Sequence, residues 1–342
     1  MQKFNLNCVQ DSRKIIIEKM KSMFSSSNIN LLIGSAFSVP YLKTLADVEK
    51  RLSEAMQSGN KNEEFKIKKE FFLRSIEPIQ KVDFDKNDFI VKQDFIRSIT
   101  DIVALRETSI VHKIINIFTT NYDNLIEKAL EKNHIDYFDG FSGRINPKFS
   151  TANYGKLICK QNGFQGRLTE EVSVNLYKIH GSLYWKEEKD DIVFDDFNER
   201  INNISAAKEN QEDFLENYSK LAIINPEKNK FNSTVMNSNY YDQIRMFAND
   251  MERQNTILLS FGFSFADEHI LQIIDRALGT NPTLTLLLFP YCQEDLEKFN
   301  EIFESRNNVY CYYKKQEDKG KIDNFTLENM NELLMEIYNG IK

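Results

Sequence analysis

Short apolar runs recur along the chain, and each ends abruptly at small or polar residues. These runs are strand-sized, and they lie at residues 30–33, 114–118, 176–179, 221–224, 256–261, 284–289 and 309–312. Other segments carry apolar residues at helical spacing. They lie before the first run, at residues 12–26, and between and after the runs, where the clearest helical segments are 239–252 and 326–338. This alternation predicts an α/β fold in which a parallel sheet has helices on both faces.

Polar tips follow four of the predicted strands. They are Gly34–Ser38, Thr119–Asp123, His180–Ser182 and Gly262–Asp267. Ligands of parallel α/β sheets bind beyond the carboxyl ends of the strands. We therefore expect the four tips to converge on one functional site.

Composition and charge narrow the class of protein. The 342 residues are 41% hydrophobic and 28% charged, which is typical of a globular protein. The formal net charge of -7 argues against direct nucleic-acid binding, because such proteins usually carry a concentrated basic face. Small molecules or other proteins are the expected partners.

Cysteine spacing and the N-terminus bear on metals and location. The four cysteines are far apart and form no CxxC pair, so neither a four-thiolate zinc site nor a disulfide framework is predicted. The N-terminus lacks an apolar signal core, and no apolar run is long enough to span a bilayer. We expect a cytoplasmic protein without membrane attachment.

The first and fourth tips carry the small residues that a phosphate site needs. Gly34, Ser35 and Ala36 would let backbone N–H groups approach a pyrophosphate at the start of a helix. The same residues also suit a tight turn packed for structural reasons. Gly262 and Ser264 offer a close backbone and a hydroxyl to a phosphate or a ribose.

The second and third tips carry side chains suited to acid–base chemistry. The carboxamide of Asn121 can hold a ribose hydroxyl and a water together, and the carboxylate of Asp123 can accept from an amide or cap a helix. The unperturbed pKa of a histidine side chain suits a general base near neutral pH, which makes His180 a candidate, although such a histidine is often structural. Asp267 either bonds a ribose hydroxyl or caps the following helix.

In their order, four motifs resemble the sirtuin family. They are Gly34-Ser35-Ala36-Phe37-Ser38, Thr120-Asn121-Tyr122-Asp123, Lys178-Ile179-His180-Gly181-Ser182 and Gly262-Phe263-Ser264-Phe265. The likeness is greatest to the bacterial sirtuin-like domains of antiphage defence, and it spans roughly residues 28–292. It implies a Rossmann-like domain that takes NAD+ as its substrate.

The resemblance also implies roles for individual residues. Asn121 would order the ribose and a water, and His180 would accept a proton from a ribose hydroxyl, which makes these two the predicted catalytic residues. Asp123 would contact the nicotinamide amide. The predicted NAD-binding set is Gly34, Ser35, Ala36, Ser38, Thr120, Asp123, Gly262 and Ser264.

Two departures from the family pattern affect the predicted activity. Ala36 stands where a second glycine is common. The zinc-ribbon cysteines of protein deacylases are missing, so we expect no metal and favour hydrolysis of NAD+ to nicotinamide and ADP-ribose. A non-enzymatic module that senses NAD or ADP-ribose and an NAD-dependent protein deacylase are the alternatives.

Family members of this kind are gated by assembly or by a partner. The resemblance therefore implies a homo-oligomer and a partner such as a HerA-type ATPase. The predicted domain organisation is an N-terminal helix at 1–27, a sirtuin-like domain at 28–292, and a strand and helix at 293–342 that complete it. Helical insertions are expected at about 59–108 and 186–217, and these are the candidates for contact with partners.

Overall fold

The computed structural model describes residues 1–8, 10–43, 48–107, 110–161, 166, 168–189, 191–223, 234–316 and 321–342. Within these residues the strands are β1 (Gln2–Asn5), β2 (Asn28–Ile33), β3 (Ile114–Thr119), β4 (Asp136–Phe138), β5 (Phe141–Ser142), β6 (Lys148–Phe149), β7 (Cys159–Gln161), β8 (Leu168–Glu170), β9 (Ser173–Lys178), β10 (Trp185–Glu188), β11 (Asp191–Phe194), β12 (Thr256–Phe261), β13 (Leu284–Leu288) and β14 (Val309–Tyr313).

The α-helices are α1 (Gln10–Ser26), α2 (Val48–Gln57), α3 (Lys61–Phe71), α4 (Asn87–Ala104), α5 (Leu125–Lys132), α6 (Phe197–Ala206), α7 (Gln211–Ser219), α8 (Thr234–Glu252), α9 (Glu268–Thr280), α10 (Gln293–Phe303) and α11 (Leu327–Ile341). Short 3-10 turns lie at Ser35–Ser38, Glu77–Lys81 and Thr151–Asn153, and a π-helical turn lies at Phe72–Ile76.

The main sheet has eight strands in the order β1-β14-β13-β12-β2-β3-β9-β4, and neighbouring strands are parallel throughout. Six adjacent strands of this sheet are, in spatial order, β9, β3, β2, β12, β13 and β14. When they are numbered by their position in the chain, this order is 3-2-1-4-5-6, which is the strand order of dinucleotide-binding Rossmann domains. The order reverses between β2 and β12, and ligands of such sheets bind beyond the strand ends at that point. The predicted α/β fold is confirmed.

Helices cover both faces of this sheet because successive side chains of a strand point to opposite faces. On β2, Leu31 belongs to a core shared with α1, α4, α5 and α11, whereas Leu32 belongs to a second core shared with α8, α9 and α10. Both leucines are fully buried. The continuous apolar runs that predicted the strands follow from this double burial.

A third core joins helices from two distant parts of the chain. Apolar side chains of α2, α3 and the π-helical turn pack against α6 and α7. The predicted insertion 59–108, whose last residue lies outside the described part, therefore divides between two places. Its first half joins the third core, and α4 packs on the main sheet.

Three details differ from the sequence prediction. The sequence predicts no strong strand in the segment 186–217, but β10 and β11 form an antiparallel hairpin there. Residues 186–188 of β10 are exposed, so they leave no apolar signal in the sequence. β1 was also missed. At 221–224 no strand forms among the described residues: Ile223 makes an isolated bridge with Gly181, and Ile224 lies outside them.

In the part of the chain that the structure describes, no helix combines the length and the apolar character needed to cross a bilayer.

A ladder of buried asparagines connects three adjacent strands of the main sheet. Asn30, Asn116 and Asn175 occupy the same row of the sheet on β2, β3 and β9. Asn116 donates from Nδ2 to Asn30 Oδ1 at 2.9 Å, and Asn175 donates to Asn116 Oδ1 at 2.8 Å. Asp250 on α8 also accepts from Asn116 Nδ2 at 3.1 Å. Burial raises the pKa of Asp250 to about 6.

We predict that Asp250→Asn increases the free energy of unfolding near pH 7 by about 1–2 kcal/mol. Because the pKa of Asp250 is raised in the folded protein to about 6, its ionised form is disfavoured there. This penalty is absent below about pH 4 and develops as the pH rises through the folded pKa. Asparagine keeps an oxygen that can accept from Asn116.

Urea unfolding of both proteins at about pH 4 and about pH 7.5 measures this difference. The variant should gain stability over the wild type only at the higher pH. An identical difference at both pH values would show that the carboxylate charge is not its cause.

Candidate functional site

A cavity of about 110 Å³ lies beyond the carboxyl ends of β2, β3 and β9. Predicted site residues from three of the four polar tips line it together: Ser35, Ser38, Thr120, Asn121, Asp123 and His180. The two predicted catalytic side chains, Asn121 and His180, therefore face one space. The parallel register causes this convergence, because Ile33, Thr119 and Lys178 pair in one row and the tips start at the same level.

Hydrogen bonds fix the orientation of the Asn121 carboxamide. Its Nδ2 donates to the carbonyl of Gly34 at 3.0 Å and to Ser38 Oγ at 3.1 Å. A carbonyl can only accept, so the nitrogen must be the atom that faces Gly34. Both N–H bonds are then used within the protein, and Oδ1 is the atom that can accept from a ligand or a water. Asn121 is 6% exposed.

Asp123 has a structural role as well as a place in the cavity wall. Its Oδ2 accepts from Ser38 Oγ at 2.6 Å, and its Oδ1 accepts from the backbone N–H of Leu125 at 3.0 Å in the first turn of α5. Each oxygen thus has one protein donor. A carboxylate oxygen can accept a second hydrogen bond, so contact with an amide of a ligand is chemically compatible with this arrangement.

His180 is held by a carboxylate from the fourth tip. Its Nε2 lies 3.0 Å from Asp267 Oδ2, and its side chain is 17% exposed. The other oxygen of Asp267 accepts from the backbone N–H groups of His269 and Ile270, which caps α9. The neutral tautomer in which Nε2 donates to Asp267 leaves Nδ1 without a proton, as a general base requires. Asp267 thus caps a helix, as one alternative predicted, and also orients the histidine.

The remaining predicted residues lie outside the cavity lining. Gly34 is buried, and an added Cβ there would come within 2.3 Å of the carbonyl oxygen of Gly262. Gly262 itself has φ +66°, a conformation that glycine adopts without strain. These two glycines let the first and fourth tips touch at the point where the strand order reverses. Ala36 and Ser264 are exposed beside them.

Sequence reasoning missed four residues of the cavity wall. Leu42 and Lys43 follow the first tip, Ser75 comes from the π-helical turn, and Tyr122 lies between Asn121 and Asp123. Ser75 Oγ donates to the carbonyl of Lys43 at 2.9 Å, which joins the third core to the site. Strand-end logic cannot find Ser75, because it lies on a helical segment. Ser75 is marked only in the structure, where it lies on the π-helical turn, a feature frequent at functional sites.

The size of the cavity limits what it can enclose. Sites for drug-sized ligands and cofactors usually measure about 300–1,000 Å³, so this cavity fits one end of a dinucleotide rather than the whole molecule. Ser35, Ala36 and Ser264 are exposed to solvent. Within the described residues no group of three or more His, Cys, Asp or Glu could hold a metal ion.

Comparisons with known proteins find a matching family model and a solved structure of low similarity. The family model described as a SIR2-like domain matches residues 115–311, which is more than half of the chain. A solved structure described as Sir2Tm bound to a propionylated peptide matches with 11% sequence identity and a TM-score of 0.46 over 95% of this chain and 99% of that chain. A search of curated proteins found no match.

We predict that Gly34→Ala lowers the free energy of unfolding by about 3 kcal/mol, the upper part of the range for overpacked sites. The added carbon would collide with backbone atoms of Gly262 and Phe263, which cannot rotate away. Urea unfolding measures the loss. Gly59→Ala is the control, because its Cβ meets no atom within 4 Å and only its positive φ costs stability. Equal losses in the two variants would contradict the close packing of the two tips.

Proposed function

The chain belongs to the SIR2-like domain family, whose members are enzymes that use NAD+, and from this premise we propose that it is an NAD+ glycohydrolase. The resemblance drawn from the sequence is thus confirmed at the level of the family. The proposed reaction cleaves the bond between nicotinamide and ribose and releases nicotinamide and ADP-ribose. We further propose that the resulting loss of NAD+ serves antiphage defence by abortive infection.

The observation that carries the proposal is the shared cavity of Asn121 and His180. Hydrolysis of a glycosidic bond needs a positioned water and a group that increases electron density on the ribose. Asn121 Oδ1 can accept from the water, while the imidazole of His180 can accept from a ribose hydroxyl. Asp267 supports the second role, because a carboxylate on one nitrogen makes the other a better base.

The proposed reaction balances without a further co-reactant. The bond between the anomeric carbon and the pyridinium nitrogen breaks, and both of its electrons go to nicotinamide, which leaves as a neutral molecule. The oxygen of water bonds to the anomeric carbon, and one proton is released. No general acid is needed for the leaving group, so one base and one carboxamide suffice.

Hydrolysis has two rivals that the same preparation can test. A sensing module would bind NAD+ or ADP-ribose in calorimetry but release no nicotinamide. A protein deacylase would release nicotinamide only when an acyl-lysine peptide is supplied.

We predict that His180→Ala and Asn121→Ala each lower the rate of nicotinamide release by about 100- to 10,000-fold, the usual cost of removing a general base or a comparable catalytic group. Chromatography of NAD+ reaction products measures the rate, and thermal unfolding checks the fold. His269→Ala is the matched control, because this histidine is exposed and lies outside the cavity. Wild-type turnover in either cavity variant would falsify the assignment.

We propose that assembly gates the activity, since an unregulated NAD+ hydrolase would harm its host. We expect the purified chain to form a homo-oligomer, and we expect a HerA-type ATPase or another defence partner to raise its turnover. Light scattering and nicotinamide release, with and without the product of the adjacent gene, measure both properties. A monomer that is fully active alone would contradict gating.

A further inference from the structure

Directly beneath the site, β9 carries a lysine that is buried in the protein interior. Lys178 is 2% exposed and lies two residues before His180 in the chain. Lysines are almost never buried to this degree unless their charge is paired and their N–H groups are bonded. The contacts of this side chain therefore indicate why the position is occupied by lysine.

The ammonium of Lys178 holds the backbone of the second tip. Its Nζ donates to the carbonyl of Asn121 at 3.3 Å and also to the carbonyl of Asp123. It also pairs with Glu127 Oε1 on α5 at 2.9 Å. One ammonium thus bonds to the backbone of the two residues whose side chains line the cavity, and its three N–H bonds are all used.

Because Lys178 and His180 lie on the same strand end, this cation connects the two halves of the site. The hydrogen bond from Lys178 fixes the backbone of Asn121 relative to β9, and His180 follows the end of β9 in the chain. A shift of the second tip would move the carboxamide away from the imidazole. Misplacement of reacting groups by about 1 Å can lower a rate by about 100-fold.

Glu127 is a weaker partner than its distance suggests. Burial raises the pKa of Glu127 to about 7, although the neighbouring Lys178 ammonium opposes the shift. Its Oε2 is buried and has no hydrogen-bond partner. Burial therefore opposes the charge of Glu127, whereas the two backbone carbonyls accept from the ammonium whatever the protonation state of Glu127.

We propose that Lys178 is a positioning residue for the reaction, which sets the placement of Asn121 relative to His180 through the carbonyls of Asn121 and Asp123. This inference rests on the proposed NAD+ hydrolysis. Lys178 is not part of the cavity lining, and it acts on the cavity only through the two backbone carbonyls that it holds. Its effect should therefore fall on kcat and much less on KM, because the exposed tips that would hold the adenosine half are untouched.

The test compares three variants: Lys178→Met, Glu127→Gln and the double variant that combines them. Glu127→Gln keeps an oxygen that accepts from Lys178, so we expect kcat within about threefold of the wild type. Lys178→Met removes the donor to both carbonyls, and we expect kcat to fall about 100-fold. It also leaves Glu127 and the two buried carbonyls without their donor, so its Tm should fall too.

The double variant separates positioning from stability. Replacing the unpaired carboxyl group with an amide should restore part of the Tm that Lys178→Met loses, while kcat stays about 100-fold below the wild type. Recovery of kcat together with Tm would overturn the proposal, as would full turnover in Lys178→Met. If Lys178→Met does not fold, the kcat and the Tm of the double variant are each compared with those of the wild type. A kcat close to that of the wild type in the folded double variant would again overturn the proposal.

Calorimetry with NAD+ and ADP-ribose keeps this inference distinct from the proposed function. A wild-type chain that releases no nicotinamide, alone or with its partner, would overturn the hydrolase. The role of Lys178 would then be read from binding. If the double variant binds NAD+ more weakly than the wild type does but binds ADP-ribose equally well, positioning at the nicotinamide end is supported. If the variant changes the two affinities equally, positioning at that end is refuted.

Discussion

The register of the three adjacent strands β2, β3 and β9 determines where the side chains of the cavity lining meet. Asn30, Asn116 and Asn175 bond to one another across β2, β3 and β9, and all three are buried. A slip of one residue would break these bonds and would turn each strand's side chains to the opposite face. Because the register holds, the strands end in one row, and the tips that carry Asn121 and His180 begin side by side.

Most of the buried polar groups at this edge of the sheet have a hydrogen-bond partner within the protein. Ser38 lies between Asn121 and Asp123, and it accepts from the first and donates to the second. Lys178 holds the same turn from below. In a region of low dielectric each unpaired group would cost about 1–3 kcal/mol, so this network favours a single arrangement of the side chains over many. A reaction that needs two groups in fixed relative positions benefits from that rigidity.

The third core gives the site a wall that the sheet alone cannot supply. Helices α2, α3, α6 and α7 come from segments far apart in the chain, and they pack together near the mouth of the cavity. Ser75 and Lys43 reach the lining from this side. This part of the wall thus comes from helices that are separate from the main sheet.

The sequence by itself determined the fold class and most of the cavity lining. The strand-sized apolar runs are strong signals because β2, β3, β9 and β12 are buried on both faces, and small or polar residues mark where each strand ends. Hydrophobic pattern is local information, so it survives in a single sequence. The exposed part of β10 and the edge strand β1 leave no such pattern, and β11 has an apolar run of only three residues, so these strands were missed.

Only the tertiary structure decided how the tips meet and what lies around them. The pairing of Asp267 with His180, the contact of Gly34 with Gly262, and the entry of Ser75 into the cavity all join residues distant in the chain. Distances of this kind depend on strand order and helix packing, which no local pattern encodes. The sequence could offer Asp267 as a helix cap or a ligand contact, and the fold made it a cap and the partner of the histidine.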